Sequence, residues 1–112
     1  MPITSELAIL HADACGYAAA MAQSEETAIG RLQSGQRLIH QAAGAHGGRV
    51  IDTAGDSALM TFESVRAAFQ AAREVQEGVK EQAKTKSSTV AFPYRFGLTR
   101  GRVTVDRNSV YG

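Results

Sequence analysis

Two aspartates occupy positions that chain geometry can bring together. Asp13 closes an apolar run, Ser5-Glu6-Leu7-Ala8-Ile9-Leu10-His11-Ala12, just before the glycine-containing segment Ala14-Cys15-Gly16-Tyr17. Asp56 lies in Ala54-Gly55-Asp56-Ser57, a turn sequence of hairpin length between two runs of strand character, 49–53 and 58–62. If the first strand lies beside that hairpin, both carboxylates fall at one end of one sheet. Carboxylates held this close repel unless a cation sits between them, and such hard oxygen ligands suit Mg²⁺ or Mn²⁺ shared with substrate phosphates. The backbone N–H groups of Cys15, Gly16 and Tyr17 would then offer a cradle for a polyphosphate at a helix N-terminus. Plainer roles fit the same residues: Asp56 as a turn aspartate and Asp13 as a helix cap. His11 reads as a packed or rim histidine sharing a strand face with Asp13, and Tyr17 and Met21 read as packing residues. Cys15 has nothing basic beside it in sequence and reads as inert.

The elements that must position these groups follow from periodicity. Ser24 is a candidate N-cap, with Glu25 and Glu26 in the first turn, where carboxylates favour the helix dipole. Ile29, Leu32, Ile39 and Ala43 then recur at helical spacing until Gly47-Gly48 ends the run, with His46 placed to meet the last carbonyls of its helix. A second helix is expected from Ser64 or Val65 to about Ala83, with Val65, Ala68, Phe69, Ala72, Val75, Val79 and Ala83 as its apolar stripe. A polar, basic connection, 84–89, leads to a strand over 94–99, a turn at Arg100-Gly101 and a further strand over 102–106. Another turn at 107–109 precedes Val110-Tyr111-Gly112. The order β-α-β-β-α-β plus a terminal strand is the split βαβ arrangement of an α+β, ferredoxin-like fold, an antiparallel-rich sheet with helices on one face.

Composition bounds the function classes. The chain has 112 residues, one domain's length, and 12 Lys+Arg against 11 Asp+Glu leave a formal charge of +1. That balance argues against a protein held to nucleic acid by bulk charge, and no apolar run is long enough to span a bilayer. A single cysteine and the absence of a signal-like N-terminus point to the cytoplasm. Of the 44% hydrophobic residues 19 are Ala, which leaves 23 Leu, Ile, Val and Phe to build a core. So thin a supply makes self-association or a partner a natural way to complete it.

Leu10-His11-Ala12-Asp13-Ala14-Cys15-Gly16-Tyr17, Ala45-His46-Gly47-Gly48-Arg49-Val50-Ile51 and Thr53-Ala54-Gly55-Asp56 resemble, in order, signature segments of class III nucleotide cyclases, the adenylate/guanylate cyclase catalytic domain. Phe96-Gly97-Leu98-Thr99-Arg100-Gly101-Arg102-Val103 and Val110-Tyr111-Gly112 fit its later segments, so the resemblance runs from about Leu7 to the last residue. It implies two metal ions: one activates the ribose 3′-hydroxyl for attack on the α-phosphorus, and the other grips the triphosphate and stabilises leaving pyrophosphate. On this resemblance Asp13 and Asp56 are the metal ligands, with the Ala14 carbonyl as a third. Arg102 falls where some members carry a phosphate-binding arginine, though it fits a surface strand arginine equally.

Several positions depart from the family pattern. Asp52 stands four residues before Asp56, where the family's adenylate cyclases place a lysine that reads the purine. Ser109 replaces an aspartate that often accepts from the adenine amino group, and Ser57 stands where a glycine is common. The sequence given stops at Gly112, before the family's next helix, whose asparagine and arginine orient the ribose and stabilise transition-state charge, and before the strands beyond it. The resemblance therefore implies a single cyclase homology domain over 1–112 without that C-terminal part. It would pair as a homodimer or with a related cyclase-type subunit, with ATP or GTP as its nucleotide, as a binding or regulatory module with little catalysis alone. The alternative is the metal-binding half of a cyclase that becomes active with a complementary subunit or a missing C-terminal segment.

Overall fold

Alternation along the first apolar run decides which side of the sheet is covered. Ala8, Leu10, Ala12 and Ala14 are buried, whereas His11 and Asp13 are exposed and Leu7 and Ile9 half-buried, the period of two that a strand imposes. The computed structural model describes residues 3–85, 89–106 and 109–111, with side chains described for 6–85 and 89–102. Its elements are β1 (Ile3–Ala14), α1 (Tyr17–Gln23), α2 (Glu25–Ala45), β2 (Arg49–Ala54), β3 (Ser57–Phe62), α3 (Val65–Lys84), β4 (Tyr94–Asp106) and β5 (Ser109–Tyr111). They form one five-stranded sheet in the order β2-β3-β1-β4-β5, antiparallel at every step. This is the expected split βαβ arrangement with β1 at its centre and one added strand. No helix among the described residues is long and apolar enough to cross a membrane.

Local chemistry explains the helix ends. The Ser24 hydroxyl accepts from the Thr27 N–H at 3.3 Å, and Glu25 and Glu26 occupy the first turn of α2. At the other end Gly47 adopts φ +68°, and the Gly48 N–H turns back to the Ala43 carbonyl at 2.7 Å, a glycine-terminated helix end. Ser64 caps α3 in the same way, accepting from the Ala67 N–H at 3.0 Å.

Three expectations need correction. β4 runs without a break through Arg100-Gly101, because the long β1 supplies partners along its whole length, with Leu7 opposite Gly101 and Ala8 opposite Arg100. The helix expected after Gly16 is a separate seven-residue element, α1, which stops before the Ser24 cap of α2. The His46 side chain reaches Glu74 on α3, at 3.6 Å, and only its backbone N–H meets the carbonyls of Ala42 and Ala43. The expected turn residues 107 and 108 lie outside the described residues, though Asp106 stands opposite Ser109.

The core is built mostly from alanine. Leu10, Ile39, Met60, Phe62 and Val75 are its largest fully buried side chains, and alanines make up more than half of the buried apolar positions. Small residues let the layers approach closely. A methyl group on Gly35 would collide with the Tyr94 hydroxyl, and one on Gly48 with the Phe62 ring. Polar contacts tie the layers at their margin. The Ser34 hydroxyl donates to Gln82 Oε1 at 3.1 Å, and the same oxygen accepts from the Ala91 N–H at 2.8 Å. Arg31 Nε donates to the Val90 carbonyl at 2.8 Å while its guanidinium lies 4.1 Å from the centre of the Phe92 ring, a cation–π contact.

Two outcomes follow from this packing. Gly35→Ala should cost about 1–3 kcal/mol, because the new methyl forces the buried Tyr94 ring to shift; a thermal melt should show a fall of roughly 4–8 °C per kcal/mol. Burial pushes the Tyr94 phenol from 10.0 up to about 12. The unfolded tyrosine therefore ionises first, and the folded state loses stability as pH rises from about 10 through about 12, with none lost below. Denaturant midpoints measured across that range should show this extra slope in the wild type relative to Tyr94→Phe.

Candidate functional site

The hairpin between β2 and β3 turns in two residues, Gly55 and Asp56, with Ala54 opposite Ser57. Gly55 has φ +56°, the left-handed backbone that short hairpin turns require and that glycine adopts without strain. Ser57 Oγ closes the turn by donating to the Ala54 carbonyl at 3.1 Å. The turn is then fastened to the end of β1: the Ala14 N–H donates to the Asp56 carbonyl at 2.8 Å. Asp13, the neighbour of Ala14, stands opposite Ser57, the neighbour of Asp56. The two aspartates thus branch from adjoining backbone at the same end of the sheet.

The cross-strand register defines the face that bears Asp13. One row across the uncovered side reads Ala54, Ser57, Asp13 and Arg95; the next reads Asp52, Leu59, His11 and Gly97. Asp13 is half exposed, and His11 Nδ1 lies 3.6 Å from its Oδ2, so the rim histidine and Asp13 share a face as expected. Asp52 is exposed on β2, where the register shifts between Val50 and Asp52. That bulge re-aims the strand and sets Asp52 in the row beside His11 rather than on the covered side.

Other expected residues fare differently. The Cys15 N–H donates to the Pro93 carbonyl at 2.7 Å, so one of the three expected phosphate donors is committed within the fold. Gly16, with φ +89°, begins α1 without a side-chain cap, and Tyr17 packs edge-on against Phe92 with ring centres 5.9 Å apart. Tyr17 and Met21 both pack against the core. Arg102 stands opposite Glu6, on the other face of the sheet from Asp13 by strand alternation. It is also seven residues along β4 from Asp13's partner Arg95, about 23 Å at the rise of a strand. Within one chain Arg102 does not meet the aspartates. The Ser109 side chain lies outside the described residues.

Arg95 is a candidate that the sequence reading did not single out. It is exposed, directly opposite Asp13 and on the same face. The signal was present in the alternation of Tyr94, Arg95 and Phe96, which turns Arg95 away from its core-facing neighbours. A cation here stands across from the carboxylate of Asp13. Among the described residues no group of three or more His, Cys, Asp or Glu side chains is placed to hold a metal. Two carboxylates and a carbonyl at an open rim fit a hard cation that keeps several waters and takes further ligands from a phosphate; they do not fit a closed site built only from side chains.

No family model and no curated relative matches the sequence. Solved structures match its fold over the whole length. An adenylate/guanylate cyclase/hydrolase from Silicibacter pomeroyi superposes with a TM-score of 0.85 and 27% identity, covering 100% of this chain and 66% of that one. The adenylyl cyclase CyaB from P. aeruginosa gives 0.80 at 18% identity, covering 95% and 61%. A bacterial light-regulated adenylyl cyclase gives 0.85 at 16% identity, covering 99% and 36%. The chain thus spans about two thirds or less of the length of each. The two fainter likenesses speak to fold alone. The chain has the fold of the class III adenylate/guanylate cyclase catalytic domain.

Proposed function

We propose that this chain is a cyclase homology domain that binds a divalent cation and a nucleoside triphosphate on its uncovered sheet face, and that it acts by binding and association rather than by turnover on its own. The observation that carries this reading is the 2.8 Å hydrogen bond from the Ala14 N–H to the Asp56 carbonyl, which joins the segments bearing Asp13 and Asp56. Those carboxylates, with the Ala14 carbonyl, would hold Mg²⁺ or Mn²⁺. When bound, such an ion supplies charge neutralisation for a triphosphate and lowers the cost of bringing it among carboxylates. Arg95, opposite Asp13, would share in that neutralisation. Half-buried Leu7, Ile9 and Leu59 on the same uncovered face support pairing with a second copy or a related subunit, and the alanine-rich core adds to that case.

The purine side of the site is where catalysis falters. Asp52 accepts hydrogen bonds and cannot donate to an adenine ring nitrogen as a lysine does. Its charge also repels the triphosphate that Asp13 and Asp56 would bind through a cation. Loss of one preorganised donor can cost about 10²–10³ in rate, so altered recognition leaves a domain better suited to binding. The competing reading is the metal-binding half of a working cyclase, completed by another subunit or segment; the same rim of carboxylates supports it.

Incubation of the purified protein with ATP or GTP and Mn²⁺, followed by mass spectrometry, separates the two. No cyclic nucleotide beyond the level of Asp13→Ala is expected, while calorimetry should detect Mn²⁺-dependent nucleotide binding that Asp13→Ala loses. Turnover well above the Asp13→Ala control would establish the catalytic alternative, and absence of any Mn²⁺-dependent binding would refute the proposal. Asp52→Lys exchanges a repelling acceptor for a donor. It should tighten ATP in the presence of Mn²⁺ by about tenfold, the worth of one charge-assisted hydrogen bond.

A further inference from the structure

β1 sets an imidazole and a carboxylate side by side on the uncovered sheet face. His11 and Asp13 are two residues apart on that strand, so both side chains rise from the same side of it. Nδ1 of His11 lies 3.6 Å from Oδ2 of Asp13, and the two side chains are 50% and 51% exposed. That separation is too long for a hydrogen bond. It is close to the distance between two ligands of one tetrahedral ion, about 3.3–3.5 Å for a nitrogen and an oxygen each roughly 2.0–2.2 Å from the metal. The imidazole also has room to turn toward an ion. Its neighbour across on β4 is Gly97, where an added Cβ would meet nothing within 4 Å. Its neighbour on β3 is Leu59, which offers no competing polar group.

Donor type decides which ion such a pair prefers. Mg²⁺ takes oxygen ligands and gives up its waters reluctantly. A neutral imidazole nitrogen suits first-row transition ions instead, and among these Zn²⁺ binds a mixed nitrogen and oxygen set more tightly than Mn²⁺. A second imidazole–carboxylate pair has the same spacing, His46 Nε2 lying 3.6 Å from Glu74 Oε1. That pair joins the end of α2 to α3, and the His46 side chain is only 24% exposed, so packing accounts for it. The His11 pair stands instead at the open rim, beside the turn that the Ala14 N–H fastens to β1. An ion there keeps positions free for water and for phosphate oxygens.

We propose that His11 Nδ1 is a cation ligand alongside Asp13, and that the pair makes this rim select Zn²⁺ and similar transition ions over Mg²⁺. The proposal rests on the reading that Asp13 ligates a cation. The test titrates the intact, ¹⁵N-labelled protein with Zn²⁺ or with Mg²⁺, both diamagnetic, and follows ring-nitrogen and backbone-amide NMR signals together. Zn²⁺ should move the His11 ring signals and the Asp13 and Ala14 amides over one concentration range. Mg²⁺ should move those amides and leave the ring signals in place. His11→Gln should weaken Zn²⁺ at least about tenfold, since even the outer partners of a metal ligand are worth that much, and leave Mg²⁺ binding unchanged. Because His11 is exposed, the circular dichroism of this variant should match the wild type. Zn²⁺ shifts at the 13–14 amides with the His11 ring signals unmoved would overturn the proposal and leave the Asp13 site standing. So would equal Zn²⁺ affinity in His11→Gln, or Zn²⁺ responses confined to the rings of His40 or His46. If neither ion moves the 13–14 amides, the reading of Asp13 as a ligand fails, and the proposal fails with it.

Discussion

One backbone hydrogen bond, from the Ala14 N–H to the Asp56 carbonyl, sets the terms for the site. A carboxylate at a strand end and another in a hairpin turn have no reason to meet unless the turn is held against the strand. The 2.8 Å contact does this, and the antiparallel register of β1 and β3 leads up to it without a break from Ala8 to Asp13. Gly55 lets the turn be short enough to end beside β1 rather than beyond it. The electrostatic character of this rim, acidic and open, is therefore a consequence of chain path more than of any side-chain network.

The sheet divides the labour of the molecule. On its covered side, alternating small and large residues of β1, β3 and β4 meet α2 and α3, and close approaches such as Gly35 to Tyr94 fix how the layers seat. On its uncovered side the same strands present Asp13, His11 and Arg95 beside half-buried Ile9 and Leu59, with Asp52 exposed on β2. A period of two thus lets one strand serve the core and the site at once. The core spends few large side chains, and Phe69 on α3 stays outside it.

Much of this was legible in the residues. Element order, the Ser24 cap, the glycine stop after α2 and the hairpin turn at Gly55-Asp56 each have a local cause that sequence displays. What was not legible depended on partners. The Arg100-Gly101 pair looks like a turn until β1 is seen to supply neighbours on both sides of it. The Cys15 N–H looked free for a phosphate until Pro93 was found within 2.7 Å. Arg102 lay close to the site in motif order but stands on the opposite face and far along β4, whereas Arg95, unremarked in the linear pattern, stands across from Asp13. Register, which no single strand contains, sets the positions of the two arginines. Phe69 was placed in the apolar stripe of its helix, yet α3 turns Ala68, Ala71 and Val75 to the core and leaves Phe69 exposed.

Paramagnetic broadening by Mn²⁺ tests the central claim most directly, since it reports where the ion sits without requiring turnover. Added in small amounts to isotope-labelled protein, Mn²⁺ should erase the amide signals of Asp13, Ala14, Asp56 and Ser57 first, and leave those of Arg102 and of α3 sharp. Broadening that begins elsewhere, or that leaves the 13–14 and 56–57 amides untouched, would contradict a cation site made by the two aspartates.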